Sequence, residues 1–223
     1  MKKRLQNKTT RTNLLTYAFV TLAFIVMYTL SSLGMLGSAM KGQLIPICAY
    51  IVLAVSLNLL VGVCGELSLG HAGFMGIGAF TGIIVAALLQ NLVPNGIARL
   101  AIAMVVGGIM AGIVGFLIGI PVLRLRGDYL AIVTLAFGEI LKNIINNLYV
   151  GIDDQGFHMA ITTKTMALAE GGKMIISGPM GATGNTKLST FPMGFALIMF
   201  TLFVVLNLIN SKEGRAIKAV RDN

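Results

Sequence analysis

Two pairs of ionisable residues stand inside otherwise apolar sequence and could do chemistry: Glu66 with His71, and Glu139 with Lys142. The first pair lies in Leu57–Phe80, LNLLVGVCGELSLGHAGFMGIGAF, with Asn58 and Ser68 beside it and glycines at 62, 65, 70, 73, 76 and 78. A carboxylate and an imidazole facing a cavity in a helical bundle can relay protons. The plainer reading is structural, with Ser68 capping a helix that begins there and Glu66 bracing it. Backbone at membrane depth must satisfy its hydrogen bonds internally. A helix broken by this many glycines therefore has to be buried in protein or line a wet cavity. On either reading Asn58, Glu66, Ser68 and His71 are the candidates to line or brace a solute path.

Glu139 and Lys142 are three residues apart, so one helical face carries both and they can pair. Such a pair could gate a path or bind a zwitterion. It could equally mark a span end in the wet interface, beside Asn143, Asn146 and Asn147, and the clustering of these polar residues toward one end favours that second reading.

Other chemistry finds little support. The glycine-rich run Gly178–Thr186 has the composition of a phosphate loop. However, Asn185 stands where the lysine is needed and Pro179 where the first glycine is needed. Cys48 and Cys64 both fall in apolar stretches, lack metal-type spacing and read as packing residues, with no disulfide expected. There is no paired-carboxylate, Ser/His/Asp or zinc-type arrangement. No catalytic residue, cofactor or metal is expected, and the chain does not read as an enzyme.

The elements that must position these residues are membrane helices. Of the residues 56% are hydrophobic and 11% charged, where soluble domains carry about 25% charged residues. The net charge of +9 sits in short clusters flanking apolar runs, which argues against nucleic acid as a partner. Residues 1–13 form a basic segment. Leu14–Leu33 then exceeds the roughly 7–15 apolar residues of a signal peptide, so it is expected to stay as the first span. Further spans are expected at Leu44–Val61, Ala72–Val93, Ile97–Val122, Tyr129–Val150 and Met193–Ile209. The fold class is thus all-α, a polytopic transmembrane bundle of about six spans over residues 14–210.

Lysine and arginine favour the cytoplasmic side. The basic clusters at the amino terminus, at Arg124 and Arg126, and in the tail 211–223 then place both ends inside. Residues 151–192 become an external loop, and Pro94-Asn95-Gly96 a turn. Gly107, Ala111, Gly115 and Gly119 recur every four residues, the small-residue pattern of close helix contact. Tyr129 and Tyr149 stand where interfacial aromatics would at the two ends of the fifth span. No internal repeat supports an inverted-repeat carrier.

Three blocks resemble one family. They are GELSLGHAGFMGIGAF at the core of Leu57–Phe80, LRLRGDYLAIVTLAFGEI at Leu123–Ile140, and GPMGATG in the external loop followed by SKEGRAIKAVRDN at Ser211–Asn223. Their types and order are similar to the LivM-type permease subunit of branched-chain amino acid ABC transporters. The resemblance implies an all-helical importer subunit in the bacterial cell membrane. It would pair with a second, LivH-like permease, two cytoplasmic ATPase subunits and an extracytoplasmic substrate-binding protein. It also implies that the tail leads into an ATPase-docking helix. Gly214 to Arg221 can form a short basic amphipathic helix, and Gly214, Arg215, Ala216, Ile217 and Val220 are the docking candidates. The family would continue beyond Asn223 with at least two more spans, so the chain is expected to be partial. The alternative reading is a proton-coupled secondary carrier or channel using Glu66, His71 and Glu139.

Overall fold

A computed structural model describes residues 2–122, 124–125, 127–153, 156–161, 172–183 and 187–221. The chain divides into two compact units, one made of Met1–Cys64 with Ser189–Asn223, the other of Gly65–Leu188.

The first unit holds α1 (Lys2–Ser32), α2 (Ser38–Asn58) and a π-helical segment at Leu59–Cys64 that continues α2. The α6 (Phe191–Asn210) and α7 (Lys212–Arg221) helices complete it. Its core forms where α2 meets α6. Cys48, Ile198 and Leu202 are buried there, with Tyr17, Val20, Val52, Val55 and Phe191 packed around them. Phe24 of α1 stacks on Phe195 and Phe191, with ring centroids 4.0 and 4.9 Å away. Among the described residues neither Cys48 nor Cys64 forms a disulfide. Cys48 has the packing role expected of it, since a Cβ on Gly194 would lie only 2.8 Å from the Cys48 Cβ.

The second unit holds α3 (His71–Leu88), α4 (Gly96–Val122), α5 (Asp128–Asn146) and three strands: β1 (Tyr149–Asp153), β2 (Gly156–Ala160) and β3 (Lys173–Ser177). The turn at Pro94-Asn95-Gly96 is present, and the Asn95 side-chain oxygen accepts the Ile97 N–H at 3.0 Å. That is how an asparagine caps a helix start. The α3 and α4 helices pack through their small residues. A Cβ on Gly107 would lie 2.5 Å from the Gly78 carbonyl oxygen, and Gly115 faces the Phe74 ring. Gly119, the last of the four-residue series, has nothing within 4 Å. The small-residue stripe is thus a contact face over its first three positions.

Helices dominate, as the sequence predicts. Among the described residues, five helices are long and apolar enough to cross a membrane: Arg11–Ser32, Ser38–Cys64, His71–Leu88, Gly96–Val122 and Phe191–Asn210. The α5 helix, expected as the fifth of six spans, is not among them and carries Asp128, Glu139 and Lys142.

The region expected as a loop contains an antiparallel sheet in the order β2-β1-β3. Tyr149 and Val150, expected at the end of a span, instead open β1. A bulge between Val150 and Gly151 adds a residue to β3, and this lets the consecutive Ile175 and Ile176 both be buried. With Val150 they pack on Phe80, Ile83, Ile84 and Ala87 of α3. The Asp153 side chain is 2% exposed and holds the β1–β2 hairpin. Its Oδ1 accepts the Gly156 N–H at 3.1 Å and lies 2.9 Å from His158 Nε2.

Candidate functional site

The glycine-rich stretch is a broken helix. Regular α-helix ends at Asn58, π-helical turns run to Cys64, and residues 65–70 leave helical geometry before α3 starts at His71. Gly65 takes φ +78° where the helix gives way to the link, a conformation that glycine adopts without steric cost. At the other end of the link, Gly70 lies directly against the α5 backbone, and any Cβ there would collide with the Thr134 carbonyl. Gly138 meets it from α5, where a Cβ would be 3.2 Å from the Gly70 Cα. The Leu69 N–H, which has no helical partner, donates to Thr134 Oγ1 at 3.1 Å. The same hydroxyl donates to the Ala131 carbonyl at 2.9 Å, so one threonine serves two backbones. This is the internal satisfaction that a broken helix requires.

Beyond this contact α3 and α5 bound a cleft of about 450 Å³. From the first sequence block come Leu69, Ala72, Gly73, Gly76 and Phe80. The α5 helix contributes Leu135, Gly138, Glu139, Lys142, Ile145 and Asn146. The third block adds Gly178, Pro179 and Gly181. Blocks separated by more than a hundred residues therefore meet on one surface. Gly178 takes φ +51° and is buried, and a Cβ there would lie 2.6 Å from the Tyr149 ring. Tyr149 thus shapes this wall instead of standing at a helix end. Glu139 and Lys142 form the predicted pair, with Lys142 Nζ 3.2 Å from Glu139 Oε2. Asn146 joins them in the cleft, Asn143 is exposed, and Asn147 ends α5.

The four residues singled out in the broken stretch take separate places. Asn58 closes α2 in the first unit, and its side chain occupies the space beside Gly62, where a Cβ would be 2.6 Å from Asn58 Oδ1. Glu66 is exposed in the link and Ser68 is half-buried there. His71 is the first residue of α3 and half-buried. The lining residues of the cleft begin next to these, at Leu69 and Ala72. The cap of α3 is Gly70, with no side-chain hydrogen bond. Ser68 does not cap it, because the link has to run on two more residues to bring Gly70 onto α5.

In the tail, Gly214 is buried so closely under the last α6 carbonyls that a Cβ would collide with the Leu208 oxygen. Ser211 ends α6 by donating to the Leu208 carbonyl at 2.7 Å and starts α7 by accepting the Gly214 N–H at 3.0 Å. Arg215 and Ala216 are exposed and Ile217 is half-buried, while the Val220 side chain lies outside what is described. A hydrogen bond from its own backbone amide holds the Glu213 carboxyl below its ordinary range, with the nearby Ser211 hydroxyl a smaller influence. Arg221 donates to the Gly62 carbonyl at 2.8 Å and so ties α7 to the π-helical segment.

Sequence reasoning overlooked Thr134, Arg221 and Arg99. Arg99 is 8% exposed in the first turn of α4, and its Nε has no hydrogen-bond partner among the described residues. A lone cation in the apolar run after Pro94 was a readable signal. Thr134 and Arg221 gave none, because their partners lie 65 and 159 residues away. Among the described residues no group of three or more His, Cys, Asp or Glu could hold a metal ion.

Comparison with known proteins places these features in a family. Residues 39–223 match the model of the branched-chain amino acid transport system permease component. The high-affinity branched-chain amino acid transport system permease protein LivM of Escherichia coli (strain K12) is 36% identical over 184 residues, covering 78% of this chain and 42% of that protein. The protein of the same name from Salmonella typhimurium is 35% identical over 184 residues with the same coverage. The chain therefore spans less than half the length of either relative. No solved structure matches.

Proposed function

The chain belongs to the permease component family of branched-chain amino acid transport systems, and from that premise we propose that it is the membrane-embedded path subunit of an ATP-driven importer for leucine, isoleucine and valine. In this reading it lies in a bacterial cell membrane with both described ends cytoplasmic. It pairs with a second, LivH-like permease and receives solute from an extracytoplasmic binding protein. Two separate ATPase subunits hydrolyse ATP and dock on α7, with Arg215, Ala216, Ile217 and Val220 as the contact residues and Gly214 setting the angle of the helix. The cleft between α3 and α5 forms part of the path. Asn58, Glu66, Ser68 and His71 brace the break beside it.

One observation carries this reading: three sequence blocks that resemble the family converge on one cleft, whose walls are small and apolar apart from Glu139, Lys142 and Asn146. Aliphatic side chains gain from water-poor, apolar walls, and glycine keeps the wall open. Uptake of labelled leucine into vesicles bearing the assembled importer tests the proposal. Dependence on ATP and on the binding protein supports it. Uptake without ATP that collapses with a protonophore would instead mean a proton-coupled carrier.

A further inference from the structure

The face of α5 toward the cleft reads Leu135, Gly138, Glu139, Lys142, Ile145 and Asn146, one continuous stripe at helical spacing. In its middle stands a single ion pair. Its side chains are 56% exposed at Glu139 and 63% exposed at Lys142, and their contact is 3.2 Å long. An exposed pair of this kind adds little to stability, and turned toward hydrocarbon it would be costly. Its place on the wall of a cleft suits it to another role.

Among the described residues no other ionisable group lines the cleft, so the two charges of the pair cancel. A lone anion or cation would meet one attractive and one repulsive group. A ligand with an ammonium and a carboxylate on the same carbon meets two attractive ones. The remaining walls, Leu69, Phe80 and Ile145 among them, are apolar, and the volume falls in the range of about 300–1,000 Å³ typical of small-molecule sites.

We infer that Glu139 and Lys142 form the head-group site of the path, opening their mutual contact to take the ammonium and carboxylate of an α-amino acid whose side chain lies on the apolar wall. The inference rests on the permease reading above and names the residues that hold the solute in transit. The Lys142 ammonium faces the solute carboxylate and Glu139 faces its ammonium. Only a weak protein–protein contact is given up, so the solute is held loosely enough to move on.

The test uses the whole importer, containing this chain, in proteoliposomes. In Glu139→Gln and Lys142→Gln, leucine taken up per ATP hydrolysed should fall by about tenfold or more, the loss of a hydrogen bond to a charged group. ATP hydrolysis stimulated by the loaded binding protein should stay within about twofold, because docking and closure do not use this pair. Unchanged uptake per ATP in both variants would overturn the inference, and so would uptake and hydrolysis falling together. A second measurement needs no variant. Leucine loaded inside the vesicles should slow uptake by the wild-type importer, whereas 4-methylpentanoate and 3-methylbutylamine, each with one charge and a similar hydrocarbon, should not. Equal slowing by all three, or none by leucine, would overturn it as well. If the wild-type importer fails to take up leucine with ATP at all, the permease reading itself is at fault.

Discussion

The two halves of the broken helix keep their irregular backbone in order by opposite means. In the first unit, Leu59–Cys64 stays helical but widens to π geometry, and the Gly62 carbonyl is met by a long, exposed side chain, Arg221 of α7. In the second unit, residues 65–70 give up helical geometry. They are held by direct backbone approach, Gly70 against Thr134 and Gly138, with Thr134 Oγ1 taking the Leu69 N–H. A side-chain tie can lengthen, rotate or let go. A glycine-on-backbone contact cannot change without a collision. The difference marks the link as a fixed border of the cleft, and the π-helical segment of the first unit as an adjustable element tied to the helix we propose meets the ATPase. A π-helical turn inside an α-helix is a frequent mark of functional sites.

The largest effect should come from filling the fixed contact. Gly70→Ala drives a methyl into a backbone carbonyl that cannot turn aside, costing about 3 kcal/mol. Thermal unfolding of the purified importer should register the loss, with uptake falling alongside. Thr134→Val keeps the side-chain shape and removes the exposed hydrogen bond from the Leu69 N–H, a cost of about 1 kcal/mol. Hydrogen exchange at Leu69 should speed up while exchange at the middle of α4 holds. On the adjustable side, Arg221→Met removes the exposed hydrogen bond to the Gly62 carbonyl, worth about 1 kcal/mol. Its main consequence should be seen in exchange at α7 and in coupling, with uptake per ATP falling while the unfolding temperature hardly moves. If Arg221→Met destabilised the protein as much as Gly70→Ala, the contrast between the two halves would be wrong. Gly138→Ala asks its neighbour to give by a few tenths of an ångström, and should cost less than about 1 kcal/mol.

The smallest effect concerns acid. Glu213 has its carboxyl held below the ordinary range, so the folded state favours the charged form. The stabilisation this gives the first turn of α7 is complete above the ordinary carboxylate pKa and fades as pH falls through the depressed one. Exchange protection at the start of α7 should therefore persist through mildly acidic pH and weaken only in stronger acid. In Glu213→Gln it should show no such step.

Much of this architecture was legible in the sequence, for identifiable reasons. Apolar runs of span length located α1 to α4 and α6, and the glycines of Leu57–Phe80 announced a break. The spacing of Glu139 and Lys142 announced their pairing, and the four-residue rhythm from Gly107 announced the α3–α4 contact. The small sheet was hidden. Val150 reads as the tail of an apolar helix and becomes a strand only because Ile175 and Ile176, more than twenty residues on, bury themselves beside it. Ser68 looked like a cap because nothing local reveals that Gly70 must reach Thr134. The cleft itself could not be read from any one block, since its walls come from all three.

The central claim is that this cleft belongs to the solute path, and cysteine protection tests it most directly. Ile145→Cys, on the apolar wall, would be introduced in a chain with Cys48 and Cys64 replaced by serine or alanine, and assembled into the importer. Labelling by a small thiol reagent would then be timed during turnover. Leucine with its binding protein and ATP should slow the reaction relative to ATP alone. An unchanged labelling rate while leucine uptake continues would contradict the account.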